Sequence, residues 1–230
     1  MGTEILCLYL KNHHLFADLN QDEINELCAI SKYERFQKDQ MIYQSDKEID
    51  RLYIIIQGRI KISFCVQQHM EVVSEILKEG DIFGEITLVE SSNMIGEFAK
   101  VLTRQAIIHS FSLNDFEKLL RRKNSVAIAY AKMVADKLKI INTKYANLTF
   151  KDVKERVLNF FKLHAKYEGK WSDNKVEIKM FMSHQDIADF TASSRQTVST
   201  IINNLIKENI IIYEGRSKVI IPDVERLSIQ

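Results

Sequence analysis

The 230 residues are 46% hydrophobic and 27% charged, with a formal net charge of +1. This balance suits a globular chain long enough for two cores, and it excludes a general electrostatic attraction to nucleic acid, so any such contact must be local. Cys7, Cys28 and Cys65 are odd in number and widely spaced, which fits a cytoplasmic chain in a reducing interior rather than a disulfide framework. Residues 1–10 carry Glu4 and lack the basic start and apolar run of a signal peptide. Apolar runs such as 210–213 are far too short to span a bilayer, so no membrane partner is expected.

Residues 4–10 and 21–30 read as short helices, the second opened by Asn20 as N-cap with Glu23 three residues on. From Tyr33 the texture turns to strand. Residues 51–57 and 60–64 are β-rich runs on either side of Gly58, and 69–77, 96–103 and 105–111 continue the pattern. Many short strands separated by turn signals predict a small barrel or roll. Gly80-Asp81 and Gly84-Glu85 frame Ile82-Phe83, where the backbone must bend without a side chain in the way. A roll can enclose one small ligand, and 84–88 is the stretch to place beside it; Glu85 either accepts from a ligand hydroxyl or is a solvated turn residue. His13, His14, His69 and His109 form no zinc-like pattern with the cysteines, so no metal is expected.

Ala127, Ala131, Val134, Leu138, Ile141, Tyr145 and Leu148 are spaced 4, 3, 4, 3, 4, 3, the a/d pattern of a coiled-coil seam. No Gly or Pro lies between Gly96 and Gly169, so one long helix is predicted over 124–148. It either pairs with a partner helix or lies along its own domain. A further helix over 151–167 starts at Asp152 with Glu155 and stops at Gly169, and 176–181 reads as a strand. Ser183 with Asp186 opens a short helix to Phe190; 191–193 turn; Ser193 with Gln196 caps a last helix that runs to about Asn209. Val198, Ile201, Ile202 and Leu205 form its buried face, and Arg195, Gln196, Ser199, Thr200 and Asn203 its polar one. Residues 191–206 contain no acid, and Arg195 is their only charge. Two helices across a short turn, the second presenting donors and one Arg, fit a helix-turn-helix that enters the major groove, or else an ordinary helical hairpin. Residues 210–213 and 218–221 flank a turn at 214–217 and predict a β hairpin, or wing. The Ser, His and acidic residues are scattered, with no phosphate-cradling loop or nucleophile elbow, so an enzyme is not expected.

From about Leu15 to Ile221 the chain resembles the cyclic-AMP receptor protein and fumarate-nitrate regulator (CRP/FNR) family of bacterial transcription factors. Three segments carry the resemblance: Tyr53-Ile-Ile-Ile-Gln-Gly58-Arg-Ile-Lys-Ile62, Gly80-Asp-Ile-Phe-Gly84-Glu85, and Ser183-His-Gln185-Asp-Ile-Ala followed by Ser193-Ser194-Arg195-Gln196-Thr197-Val198-Ser199. It implies an α+β fold with a double-stranded β-helix (jelly-roll) effector domain over 1–123, a dimerisation helix over 124–148 and a winged helix-turn-helix domain over 149–230. It implies a homodimer whose recognition helices lie about 34 Å apart on a near-palindromic duplex operator. RNA polymerase is a further partner by resemblance.

Carried over by position, Arg195, Gln196, Ser199 and Thr200 read bases, and Ser183, Gln185, Ser194 and Thr197 contact the backbone, joined by Arg216 and Lys218 of the wing. The effector pocket falls on Phe83, Gly84, Glu85, Ile86, Thr87, Glu97, Phe98 and Ala99, with Ile141 and Asn142 of the long helix. Two departures stand out. Gln196 and Thr200 replace the Glu and second Arg of many members, which alters the operator. Glu97-Phe98-Ala99 stands where cyclic-nucleotide binders carry Arg-Ser/Thr-Ala, so cyclic AMP is not the expected effector. No cofactor is expected, since the clustered cysteines of the iron–sulfur branch are missing. A small-ligand or redox/haem sensory module whose C-terminal domain acts mainly through protein contacts is the alternative.

Overall fold

A computed structural model describes residues 2–44, 51–65, 71–84, 97–215 and 217–227. Glu85, Ile86, Thr87 and Arg216 lie outside the described residues. The chain divides into two compact units, Met1–Ile141 and Asn142–Gln230.

The first unit opens with α1 (Gly2–Asn12) and α2 (Gln21–Ile30). Asn20 caps α2 and forms the full reciprocal capping box with Glu23 that the sequence signals. Then come β1 (Lys32–Gln37), β2 (Met41–Gln44), β3 (Arg51–Gln57), β4 (Ile60–Cys65), β5 (Glu71–Leu77), β6 (Ile82–Phe83), β7 (Glu97–Val101) and β8 (Gln105–Ser112). They form two antiparallel four-stranded sheets, ordered β1-β8-β3-β6 and β2-β7-β4-β5. Inward side chains of both sheets share one core, which includes Tyr43, Ile60, Ile62, Ala99 and Val101 from one and Tyr53, Ile55, Phe83, Ala106 and Ile108 from the other.

The unbroken apolar run of β3 follows from burial on both faces. Tyr53 and Ile55 enter the roll, whereas Leu52 and Ile54 pack beneath the helices with Leu10, Phe16, Ile24 and Phe116. β3 and β4 are neighbours in sequence yet belong to different sheets, and the chain crosses between them at Gly58, φ +100°. A Cβ there would lie 2.7 Å from the Gln105 carbonyl oxygen, so only glycine fits. Gly80 and Gly84 also take positive φ, as the frame around Ile82-Phe83 requires.

The sequence reading passed over α3 (Leu113–Arg122), which Ser112 caps by accepting from the Asp115 N–H. Its signal was the Ser112/Asp115 pair before Phe116 and Leu119. Lys123 breaks the helical run, and α4 then extends over Asn124–Phe150, two residues beyond the expected end. The widely spaced Cys7 and Cys28 correct the expectation of separate thiols. α1 packs against α2, their Cα atoms are 5.8 Å apart, and a disulfide joins them.

The second unit holds the end of α4, then α5 (Val153–Glu168), β9 (Lys170–Ser172), β10 (Lys175–Lys179), α6 (His184–Phe190), α7 (Arg195–Lys207), β11 (Ile212–Glu214) and β12 (Lys218–Ile221). Asp152 and Glu155 form the predicted capping box on α5. The expected hairpin, β11 and β12, joins β10 and the unforeseen β9 in a four-stranded sheet ordered β11-β12-β10-β9.

Candidate nucleic-acid interface and effector roll

α6 begins at Ser183, whose side chain and backbone exchange hydrogen bonds with Asp186. It ends at Thr191, a buried residue whose hydroxyl donates to the Ile187 carbonyl at 2.7 Å. Ala192 then takes φ +49°, and the Ser193 N–H returns to the Ala188 carbonyl at 2.9 Å. That return hydrogen bond moves the start of α7 by one residue. The N-cap is Ser194, accepting from the Thr197 N–H at 3.0 Å, and not the expected Ser193 with Gln196. Ser193 Oγ donates instead to the Thr191 carbonyl.

α7 buries Val198, Ile202 and Leu205, with Ile201 half-buried, and packs on α6 and α5. Arg195, Gln196, Thr200 and Asn203 are exposed. Ser199 is half-buried and its Oγ lies 2.9 Å from His184 Nδ1. Burial and the nearby Arg195 charge lower the His184 pKa from its ordinary value. Thr200 returns its hydroxyl to the Gln196 carbonyl, and Ser194 and Thr197 share a hydroxyl–hydroxyl bond of 2.8 Å at the helix start. Gln185 is exposed and donates to Asp189. Lys218 sits 2.9 Å from both Glu177 and Glu214, and a phosphate would compete with two carboxylates for it.

Sequence reasoning missed Arg156. Its guanidinium donates to the carbonyls of Thr191 at 2.8 Å, Lys151 at 2.7 Å and Ala192 at 3.3 Å. One side chain on α5 thus fixes the turn between α6 and α7. No local pattern signals it, because the two turn carbonyls, of Thr191 and Ala192, are 35 and 36 residues away. Arg156→Met keeps the length and removes the donors. We expect it to cost the second unit about 1.5–3 kcal/mol, as for hydrogen bonds to a charged group. Urea unfolding followed by the fluorescence of Trp171, which lies in this unit, reads the loss.

In the first unit, Tyr43, Tyr53 and Phe83 stack with centroids 4.9–6.1 Å apart. Glu97 is buried beside them and accepts from the Tyr43 hydroxyl at 2.5 Å. Ala99 is buried in the same core, Phe98 is half-buried, and Gly84 lies against Tyr53. The fold therefore gathers Phe83, Gly84, Glu97 and Ala99, whereas Ile141 and Asn142 are exposed on α4.

α4 carries two stripes. Val126, Tyr130, Met133 and Lys137 face their own domain, and Lys137 donates to the Ile82 carbonyl at 2.7 Å. Six of the seven seam residues are exposed, Leu138 to 57% and Tyr145 to 72%; Ala127 is half-buried. The stripe packed on its own domain is thus a different one from the heptad seam, which is left exposed in the single chain. Among the described residues, no helix is long and apolar enough to cross a membrane, and no group of three His, Cys, Asp or Glu could hold a metal ion.

Two arrangements define the class: a roll with an enclosed core, and a three-helix unit with a hairpin that presents one polar, acid-free helix face. Residues 33–123 match the family model for the cyclic nucleotide-binding domain, and residues 155–228 that for the Crp-like helix-turn-helix domain. The chain is 25% identical over 194 residues to the cAMP-activated global transcriptional regulator CRP of Salmonella typhimurium, covering 84% of this chain and 90% of that one. It is 25% identical over 207 residues to the anaerobic regulatory protein of Bacillus subtilis, covering 89% and 86%. The structure of FixK2 from Bradyrhizobium japonicum superposes with a TM-score of 0.74 at 20% identity, over 86% of this chain and 96% of that one. The chain belongs to the CRP/FNR family of transcriptional regulators, with a helix-turn-helix DNA-binding domain and an effector-binding domain. Regulators of this family bind DNA and act as dimers.

Proposed function

We propose that this chain works in the cytoplasm as a homodimer, joined through the exposed seam of α4, and reads a near-palindromic operator with α7. In three parts it spans 1–123 as sensor, 124–148 as dimerisation helix and 149–230 as reader. Arg195 and Gln196, with Thr200 and the half-buried Ser199, face the bases; Ser183, Gln185, Ser194 and Thr197 lie toward the backbone, with Arg216 of the wing. Lys218 contributes less, being held by two carboxylates. RNA polymerase is the further partner.

The observation that carries this reading is the exposed polar face of α7, which has no acid and carries Arg195 in its first turn and Lys207 in its last. An Arg there can bridge O6 and N7 of guanine. The test begins with duplexes selected by the wild-type protein from a random library. Arg195→Ala should lose about 1–3 kcal/mol of discrimination at one base pair per half-site. Its thermal stability should not change, because Arg195 is exposed. An unaltered base preference would sink the reading and favour a C-terminal domain that contacts protein.

We further propose that the effector is not cyclic AMP. The roll buries the Glu97 carboxylate, and residues 85–96 contain no Lys, Arg or His. A cyclic phosphate would meet a like charge in a secluded site, at a cost of several kcal/mol, and each ~1.4 kcal/mol is tenfold in affinity. Calorimetric titration with cyclic AMP should give no binding in the micromolar range; micromolar or tighter affinity would overturn the proposal.

A further inference from the structure

The disulfide between Cys7 of α1 and Cys28 of α2 joins two helices that are fastened to different parts of the first unit. On the α1 side, the Tyr9 hydroxyl donates to the Ile55 carbonyl at 2.8 Å. Just beyond α1, the Leu15 N–H donates to His13 Nδ1, which leaves Nε2 to carry the proton and donate to the Gly80 carbonyl at 2.9 Å. Gly80 N–H itself donates to the Ile55 carbonyl at 2.9 Å. The N-terminal segment therefore grips the turn that leads into Gly80–Gly84, the stretch beside the roll's aromatic stack.

On the α2 side the grip is on the root of the long helix. Glu26 takes both Arg122 nitrogens, at 3.0 and 2.7 Å, and Glu23 pairs with Lys123. Arg122 closes α3, and Lys123 is the single residue between α3 and α4. A covalent bond between Cys7 and Cys28 thus ties the clamp on the Gly80 turn to the clamp on the start of α4.

A protein that binds genomic DNA works where the DNA is, in a compartment that keeps thiols reduced and in which protein disulfides are transient or sensory. A bond placed between two clamps is out of place there as permanent stapling. We propose that Cys7 and Cys28 are a reversible oxidation site, a redox input to the regulator. Cys7 is half-buried and Cys28 buried, so Cys7 meets the reagent first. The Cys7 thiolate attacks a peroxide oxygen, giving a sulfenic acid and releasing the other oxygen as water after protonation. The Cys28 thiol then displaces the sulfenic oxygen as a second water and forms the S–S bond. One hydrogen peroxide thus gains the two electrons and two protons the thiols lose. A dithiol reductant reverses the step by thiol–disulfide exchange and leaves as its own disulfide.

The test uses the 230-residue chain carrying Cys65→Ser, equilibrated in mixtures of reduced and oxidised glutathione. Free thiols are counted by alkylation and mass spectrometry, and amide hydrogen exchange is followed in parallel. We expect one two-electron transition between two free thiols and none. Opening should speed exchange about tenfold or more in α1, at residues 78–81 and at 122–126. Cys7→Ser should show the open pattern in every mixture while keeping its circular dichroism spectrum. A bond that forms in no mixture, one that survives excess dithiothreitol, or identical exchange in the two states would overturn the proposal. The regulatory part rests on the DNA-reading proposal: affinity for a selected duplex should change about fivefold or more between the two states, in the range of ordinary couplings. Unchanged affinity would overturn that part, whereas a protein that selects no duplex at all would count against DNA reading and leave the thiol and exchange results standing.

Discussion

Leu138→Lys is expected to turn the dimer into a folded monomer at micromolar concentration. In one chain Leu138 is 57% exposed, so the substitution removes little from the chain's own core. In the proposed dimer the residue meets its symmetry mate across the seam. Each buried leucine contributes about 1.5–3 kcal/mol, and two are lost per dimer. The introduced ammonium groups also face each other. A dissociation constant raised about a thousandfold follows from a loss of roughly 4 kcal/mol. Sedimentation equilibrium reads the change, and circular dichroism checks that the helices survive. Duplex affinity should fall with it, since two half-sites are then no longer held together. A Leu138→Lys chain that sediments as a dimer would place the interface elsewhere.

His109 should set an acid limit on the stability of the roll. It is fully buried on β8, between Tyr33 and Phe111, and neither ring nitrogen has a hydrogen-bond partner among the described residues. Burial pushes its pKa from the usual 6.5 down to about 4. The sign follows from which state takes up the proton first. Below about pH 6.5 the unfolded chain binds it while the fold does not, so stability drains away as the pH falls toward about 4. The loss amounts to roughly 3 kcal/mol at the low end of that window. Above pH 6.5 both states are neutral and the contribution is constant. His109→Leu, which removes the titrating ring and two unsatisfied polar atoms, should abolish that component of the acid slope and raise stability at neutral pH by about 1–3 kcal/mol. Calorimetry suits the measurement, because the sole tryptophan, Trp171, lies in the other unit. Equal acid slopes in the two proteins would show that other groups govern the loss.

Many of the helix starts were legible because their signals are short-range. The capping boxes at Asn20/Glu23, Asp152/Glu155 and Ser183/Asp186 close within three residues, and all three form. The apolar stripe of α7 needs only a helical period, and Val198, Ile202 and Leu205 are buried as that period demands. The cap of α7 was read one residue early. Ser193 and Ser194 carry the same side chain, and the choice between them depends on the Ser193 N–H returning to Ala188 across the turn.

The seam of α4 shows the same limit. Its heptad spacing identified the exposed face, but the second stripe, Val126, Tyr130, Met133 and Lys137, becomes distinct only once the roll lies against it. Glu97 was placed at the effector position by resemblance. Its burial and its bond to Tyr43, 54 residues away, belong to the packed roll.

By itself, then, the amino-acid order determined the helices with their caps, the strand-rich first half, the polar face of α7 and the periodic seam, all set by backbone hydrogen bonds and side-chain periods within a few residues. Tertiary structure alone decided that β3 and β4 enter different sheets, that Arg156 holds the Thr191 turn, that His109 is buried with no hydrogen-bond partner among the described residues, and that Cys7 meets Cys28. Each of those depends on groups tens of residues apart that meet only when a shared core is buried, and no local pattern encodes the meeting.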